Sequence, residues 1–252
     1  MFYRSFASIT LFSILGLSSG GIFAADPTAF EIIQRMIDNT RGDNSRARIS
    51  MTIKRPRFER TLVFDAWETR KDDNSFIRLL KPQKDKGITF LKKKDNLWQY
   101  IPRIGREIKI EGSLMQDSWM GSDFTNDDLV QATSYVDDFT HTLLTGGPED
   151  QFKIKLVPKP GAAVVWQKIV AQIRKTDLLP ARYEFYDHKA RLKKVMQFDR
   201  IKTMGGRRIP SRMTMSSIRN GKEKSRTQME YIDLRFNTNM PNYIFSRAHL
   251  RK

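Results

Sequence analysis

The chain has 252 residues, 29.4 kDa and a formal net charge of +17, with 29% charged residues, 39% hydrophobic residues and a mean hydropathy of −0.53. That excludes a polytopic membrane protein, and 16 Phe, 7 Tyr and 4 Trp supply enough apolar bulk to exclude a disordered chain. Cysteine is absent, so no disulfide framework, thiolate metal site, cysteine nucleophile or acylated lipobox cysteine can form, and His141, His188 and His249 leave little for zinc chemistry.

Residues 1–24 read as a cleavable secretory signal. Arg4 supplies the positive start and residues 6–17 the apolar run, which falls short of the roughly 20 residues of a membrane span. Ile22-Phe23-Ala24 offers the −3/−1 site before Ala25-Asp26-Pro27. The expectation is a soluble periplasmic protein whose residues 25–252 form one domain; an uncleaved anchor is the alternative.

Residues 26–39 carry Phe30, Ile33 and Ile37 at helical spacing beside Ile32 and Met36, which predicts an amphipathic helix stopped by Arg41-Gly42-Asp43-Asn44. A period of two then takes over. Ile49, Met51 and Ile53 alternate with polar neighbours, and Leu62, Phe64 and Ala66 alternate with Val63, Asp65 and Trp67. Further strands are predicted at 76–80, 87–91, 97–101 and 106–110. Others follow at 152–157, 164–173, 181–186, 193–201, 209–218 and 225–234, with Gly205-Gly206 and Asn220-Gly221 as hairpin turns. About a dozen strands with few helices predict a mainly antiparallel sheet that curls.

Residues 112–144 interrupt this rhythm. Leu114, Met115, Trp119, Met120, Phe124, Leu129, Val130, Tyr135, Val136 and Phe139 are mixed there with acids and small residues. Thr125-Asn126-Asp127-Asp128 fits a helix N-terminus with carboxylates in its first turn. A short helix is expected from Asn126, inside a lid, plug or binding loop.

The charge is uneven. Residues 189–252 hold 17 Lys and Arg against four acids, a net of +13, whereas the rest of the chain nets only +4. Three readings of this basic stretch stay open: a solvated strand face, contact with lipid headgroups, and docking on an acidic membrane-protein partner. Nucleic acid is not expected, because a secretory signal is present and no groove-reading or stacking motif occurs.

Catalytic chemistry finds little support. Gly121-Ser122-Asp123 lacks the G-x-S-x-G elbow of serine hydrolases. Asp123, Asp127, Asp128, Asp137 and Asp138 lack the alternation, turn glycine and closing glutamate of a calcium loop. No phosphate-cradling glycine loop or dinucleotide fingerprint occurs. No metal or cofactor is expected, and the chain reads as a binding protein rather than an enzyme.

Apolar strand residues remain. Ile49, Met51, Leu62, Phe64, Met196, Phe198, Met213 and Met215 fall on one face by alternation, as an ordinary core or as the lining of a cleft. Ten of the 11 methionines lie after residue 24, and their flexible thioethers suit a surface that accepts variable apolar partners. Each CH₂ buried there contributes about 0.8 kcal/mol, so a few acyl chains suffice for firm holding.

The run Leu97-Trp98-Gln99-Tyr100-Ile101-Pro102, with Gly105-Arg106 and Ile108-Lys109-Ile110, leads into Asp117-Ser118-Trp119-Met120-Gly121-Ser122-Asp123-Phe124-Thr125-Asn126-Asp127-Asp128-Leu129. This resembles the signature of the outer-membrane lipoprotein-sorting protein family, relatives of the LolA and LolB lipoprotein carriers. Leu178-Leu179-Pro180, Tyr183-Glu184-Phe185-Tyr186-Asp187 and Ile209-Pro210-Ser211-Arg212-Met213 resemble its later landmarks. The resemblance implies an α+β fold that is mainly β, an open, incomplete antiparallel barrel of about eleven strands with a helical lid. Its apolar concave face would accept acyl chains of a lipoprotein or lipid for transfer towards the outer membrane. On that reading Ile49, Met51, Leu62, Phe64, Trp98, Tyr100, Met213 and Met215 would line the cavity, and Trp119, Met120 and Phe124 would form the lid. Family context also implies a neighbouring inner-membrane exporter of the resistance-nodulation-division type. The alternative is a non-catalytic module whose basic C-terminal half docks on such an exporter or on an anionic membrane surface.

Overall fold

A computed structural model describes residues 26–131, 135–162 and 164–252, so the expected signal segment lies outside the described residues. Helix α1 (Ala29–Thr40) opens on a capping box: the Thr28 hydroxyl accepts from the Glu31 amide, and the Glu31 carboxylate accepts from the Thr28 amide at 2.8 Å. Ile32, Ile33, Met36 and Ile37 form its buried stripe.

Thirteen strands among the described residues make one antiparallel sheet. The first meander comprises β1 (Asn44–Arg55), β2 (Phe58–Thr69), β3 (Asn74–Lys81), β4 (Thr89–Lys93), β5 (Asn96–Ile101) and β6 (Arg106–Ile110). The second comprises β7 (Phe139–Leu144), β8 (Gln151–Pro158), β9 (Lys168–Arg174), β10 (Pro180–Tyr186), β11 (Leu192–Met204), β12 (Arg207–Arg219) and β13 (Lys222–Phe236). The order across the sheet is β6-β5-β4-β3-β2-β1-β13-β12-β11-β10-β9-β8-β7. Pairing of β1 with β13 fuses the two meanders, and β6 and β7 become the two edges.

The predicted open antiparallel sheet with few helices is what forms, and Gly205-Gly206 and Asn220-Gly221 are its hairpin turns. Three details differ. There are thirteen strands rather than about eleven, and β7 lies inside the stretch that reads as an interruption. Phe-Thr-His-Thr-Leu-Leu gives it only weak alternation, because Leu143 points to solvent. Residues 164–167 are not strand; Val164 and Trp166 leave the ladder and turn inward.

The sheet is buried unequally. In β3, Phe76, Ile77 and Leu79 are all buried, and β4 is buried from Thr89 to Lys92, so this region is covered on both faces. The convex cover is the C-terminal strap, a 3-10 turn (Asn242–Phe245) followed by α3 (Arg247–Leu250). Phe245 and Leu250 pack on Phe76 and Leu91. The strap is fastened by the Thr89 hydroxyl donating to the Leu250 carbonyl at 2.5 Å and by Arg247 and Arg251 pairing with Glu107.

Phe245→Ala removes the strap's largest buried side chain, and the expected loss is about 3–5 kcal/mol, read from the urea unfolding midpoint. A loss below about 1 kcal/mol would show that the strap contributes little to stability.

Candidate functional site

Because β6 and β7 are opposite edges, the segment joining them has to cross the mouth of the curled sheet. It does so through two 3-10 turns (Gly112–Gln116 and Trp119–Gly121) and helix α2 (Asn126–Gln131). The Trp119 amide donates to the Phe124 carbonyl at 2.8 Å, closing a tight loop in which Gly121 adopts φ 78°. That conformation favours glycine over any residue with a Cβ. Thr125 and Asp128 cap α2 reciprocally: the Thr125 amide donates to Asp128 Oδ2 and the Asp128 amide to Thr125 Oγ1.

Asp123 fastens this crossover to the sheet. Its Oδ1 accepts from Ser217 Oγ of β12 and Ser225 Oγ of β13, both at 2.6 Å. Oδ2 accepts from Thr227 Oγ1 of β13 and the Arg55 guanidinium at the end of β1, both at 2.7 Å. The same arginine donates to the Gly121 carbonyl at 2.8 Å, and Lys194 of β11 pairs with Asp128 at 2.9 Å. Burial alone would raise the Asp123 pKa, but hydrogen bonds from Ser217, Ser225, Arg55 and Thr227 outweigh it and hold the carboxyl below its ordinary value. Asp123 is a latch, and Asp128 is the expected cap of α2 as well as an ion-pair partner of Lys194.

Under the crossover lies a cavity of about 380 Å³, bounded by the concave sheet, the end of α1 and the crossover. That volume is within the roughly 300–1,000 Å³ range of small-molecule sites. The wall from β11, β12, β13 and β1 is apolar and only half-buried: Phe198, Met213, Met229, Tyr231 and Ile49. Met213 stands opposite both Phe198 and Met229 in register, and Ile49 opposite Tyr231. Burial raises the phenol pKa values of Tyr135, Tyr183 and Tyr231, so these wall groups are neutral. At one end the lining turns polar, with Arg41 paired to Glu68 and Lys92 paired to Asp73 at 2.5 Å. Desolvation lowers the pKa values of both Arg41 and Lys92, partly offset for Lys92 by Asp73.

The structure divides the expected residues. Ile49, Phe64, Met213, Trp119 and Phe124 all border this cavity. Met51, Leu62 and Met215 are wholly buried in the packing around it. Met120 packs beside Trp119 in that same apolar cluster and is absent from the cavity wall.

Trp98 and Tyr100 lie on the convex face under the C-terminal strap, against the expectation that they face inward. In β5 it is Leu97 that turns toward Trp119, so period-two alternation sends Trp98 and Tyr100 the other way. Arg247 then stacks over the Trp98 ring at 5.6 Å.

Tyr183, Met229 and Tyr231 are among the wall residues that the sequence reading did not assign to the cavity. The alternation Thr227, Met229, Tyr231 is the signal in β13 that points to this wall.

A family model described as "Uncharacterized protein" matches residues 71–252. No curated protein matches the chain. Among solved structures, a DUF1329 family protein from Desulfovibrio piger is similar with a TM-score of 0.80 and 25% identity, covering 88% of this chain and 97% of its own. A putative outer membrane lipoprotein-sorting protein domain from Vibrio parahaemolyticus follows at 0.76 and 23%, covering 89% and 98%. A LolA superfamily protein from Nitrosomonas europaea matches at 0.74 and 20%, covering 89% and 100%. The resemblance carried by the Leu97 to Leu129 run is thereby matched in architecture over most of the chain.

Asp123→Ala should cost about 3 kcal/mol at neutral pH, since it strands Arg55 and three hydroxyls. A depressed carboxyl pKa contributes stability that is present above the ordinary value of 3.8 and lost as pH falls through the lower folded value. The difference between parent and variant should therefore shrink below pH 3.8 in unfolding curves taken across the acid range. A difference that stays constant into strong acid would contradict an ionised latch.

Proposed function

We propose, since the chain belongs to the family whose model spans residues 71–252 and has the fold of the LolA superfamily, that it is an acyl-chain carrier. It holds the chains of a lipoprotein or lipid in the cavity and moves them through the periplasm towards the outer membrane. The observation that carries this reading is the unfilled space itself. Protein interiors pack at a density of about 0.74, with few voids larger than a water molecule. Here half-buried Phe198, Met213, Met229, Tyr231 and Ile49 surround about 380 Å³ instead.

The walls suit an acyl chain. Along β11, β12, β13 and β1 they offer thioethers and rings, and each CH₂ transferred from water contributes about 0.8 kcal/mol. Trp119 adds a polar handle: it lines the cavity, and its buried Nε1–H has no acceptor among the described residues. An ester or amide carbonyl at the head of an acyl chain would satisfy it, and an unmet buried donor costs about 1–3 kcal/mol. The polar collar at Arg41, Glu68, Asp73 and Lys92 suits the wet end of an amphipathic cargo. Holding and release require no bond to be made or broken, so the role is non-catalytic. Periplasmic residence rests on the expected signal in residues 1–24.

Met213→Trp would drive an indole into the space while leaving the edge of the sheet intact. Titration with a fluorescent fatty acid should show at least a roughly tenfold weaker affinity, with an unfolding midpoint near that of the parent. Unchanged affinity would remove the cavity from the account. Phe64 is a poorer probe, because it is 2% exposed and wedged edge-on against Trp119 at 5.4 Å.

A further inference from the structure

The antiparallel order places alternate turns at opposite ends of the sheet. One end carries the turns at 55–58, 82–87, 102–106, 187–191 and 219–224; the other carries those at 70–73, 94–95, 145–150, 175–179 and 205–206. Their charges differ sharply. In the residues between the strands, the first set holds six Lys and Arg against two acids, and the second holds four against six. The longer β8–β9 connection adds Lys159 to the basic end.

Those turns form a continuous rim. Arg60, beside the first turn, pairs with Asp85 of the second, and a Cβ added at Gly87 would meet Pro102 of the third at 3.3 Å. The register of β1 with β13 sets the 55–58 turn beside the 219–224 turn. The few acids of the rim are engaged: Asp85 by Arg60, Glu223 by Arg226 and Asp187 by Arg191. Arg57, Lys84, Lys86, Arg103, Lys222 and Lys224 make no ion pair among the described residues.

Two turn tips also present a large apolar side chain. Phe58 is 55% exposed beside Arg57, and Ile104 is 58% exposed between Arg103 and Arg106. An apolar tip flanked by guanidinium groups is the chemistry of an interfacial anchor: the tip enters the headgroup boundary while the cations meet phosphates. Spread over several turns rather than gathered in one pocket, these cations match a planar field of negative charge.

We propose that this basic end of the sheet docks on an anionic phospholipid surface. The Asp123 latch lies at the same end, so docking brings the fastened crossover to the bilayer and turns the charged collar of the cavity away from it. The proposal goes beyond the carrier reading and does not rest on the cavity.

Co-sedimentation of the purified protein with vesicles tests it. Vesicles containing phosphatidylglycerol should bind the protein and pure phosphatidylcholine vesicles should not, with binding weakening as salt rises. Arg57→Glu with Lys222→Glu should weaken binding by roughly tenfold or more, and Phe58→Ser with Ile104→Ser should weaken it further. Lys71→Glu with Lys94→Glu, at the opposite end, should leave it unchanged. Equal binding to both vesicle types, equal effects from the two ends, or binding only to an acidic protein would overturn the proposal. Fatty-acid affinity measured on the same variants should not move, so failure of docking is read separately from failure of the carrier reading.

Discussion

The pairing of β1 with β13 is the constraint from which the rest of the molecule follows. It joins two meanders into one sheet and sends the chain's central segment, rather than its termini, to the sheet's edges. The residues between β6 and β7 then have to traverse the mouth of the curl. A sheet of this size curls to satisfy strand twist, and its concave side needs apolar cover. Helix α1 and the crossover provide that cover incompletely, and the space left between them is the cavity.

The crossover lies over an apolar hollow, tied down by polar bonds as well as by the packing of Trp119 and Phe124. One carboxylate gathers three hydroxyls and a guanidinium that lie 68 to 104 residues away along the chain. This gives physical content to the most distinctive run of the sequence. In it, Trp119 makes the wall, Gly121 the tight turn, Asp123 the latch, and Thr125 with Asp128 the cap of α2. Beyond these bonds, Trp119 packs edge-on against Phe64 and Phe90, and Phe124 is buried in the core under α1.

Much of the fold was legible because period-two alternation survives wherever one face of the sheet is wet. β1, β2, β11 and β12 read directly, as did both glycine turns and the capped helix at Asn126. Legibility failed where both faces are covered. Trp98 and Tyr100 are large and aromatic, but they serve the strap on the convex side, and alternation alone cannot say which side of β5 faces inward. The role of Asp123 was hidden for a different reason: its partners come from β1, β12 and β13, and no local pattern announces a bond across that separation. The concentration of basic residues after residue 188 was visible, whereas the basic end of the sheet also draws on Arg57, Lys84, Lys86 and Arg103 from earlier turns, and that gathering depends on strand order.

The central claim is that the concave cavity holds acyl chains. Native mass spectrometry with lipid extraction, on protein purified without detergent, tests it most directly. The account predicts a discrete additional mass that resolves into acyl-chain species and is lost in Met213→Trp. A clean unliganded mass, unchanged after incubation with phospholipid and with a lipopeptide, would contradict it.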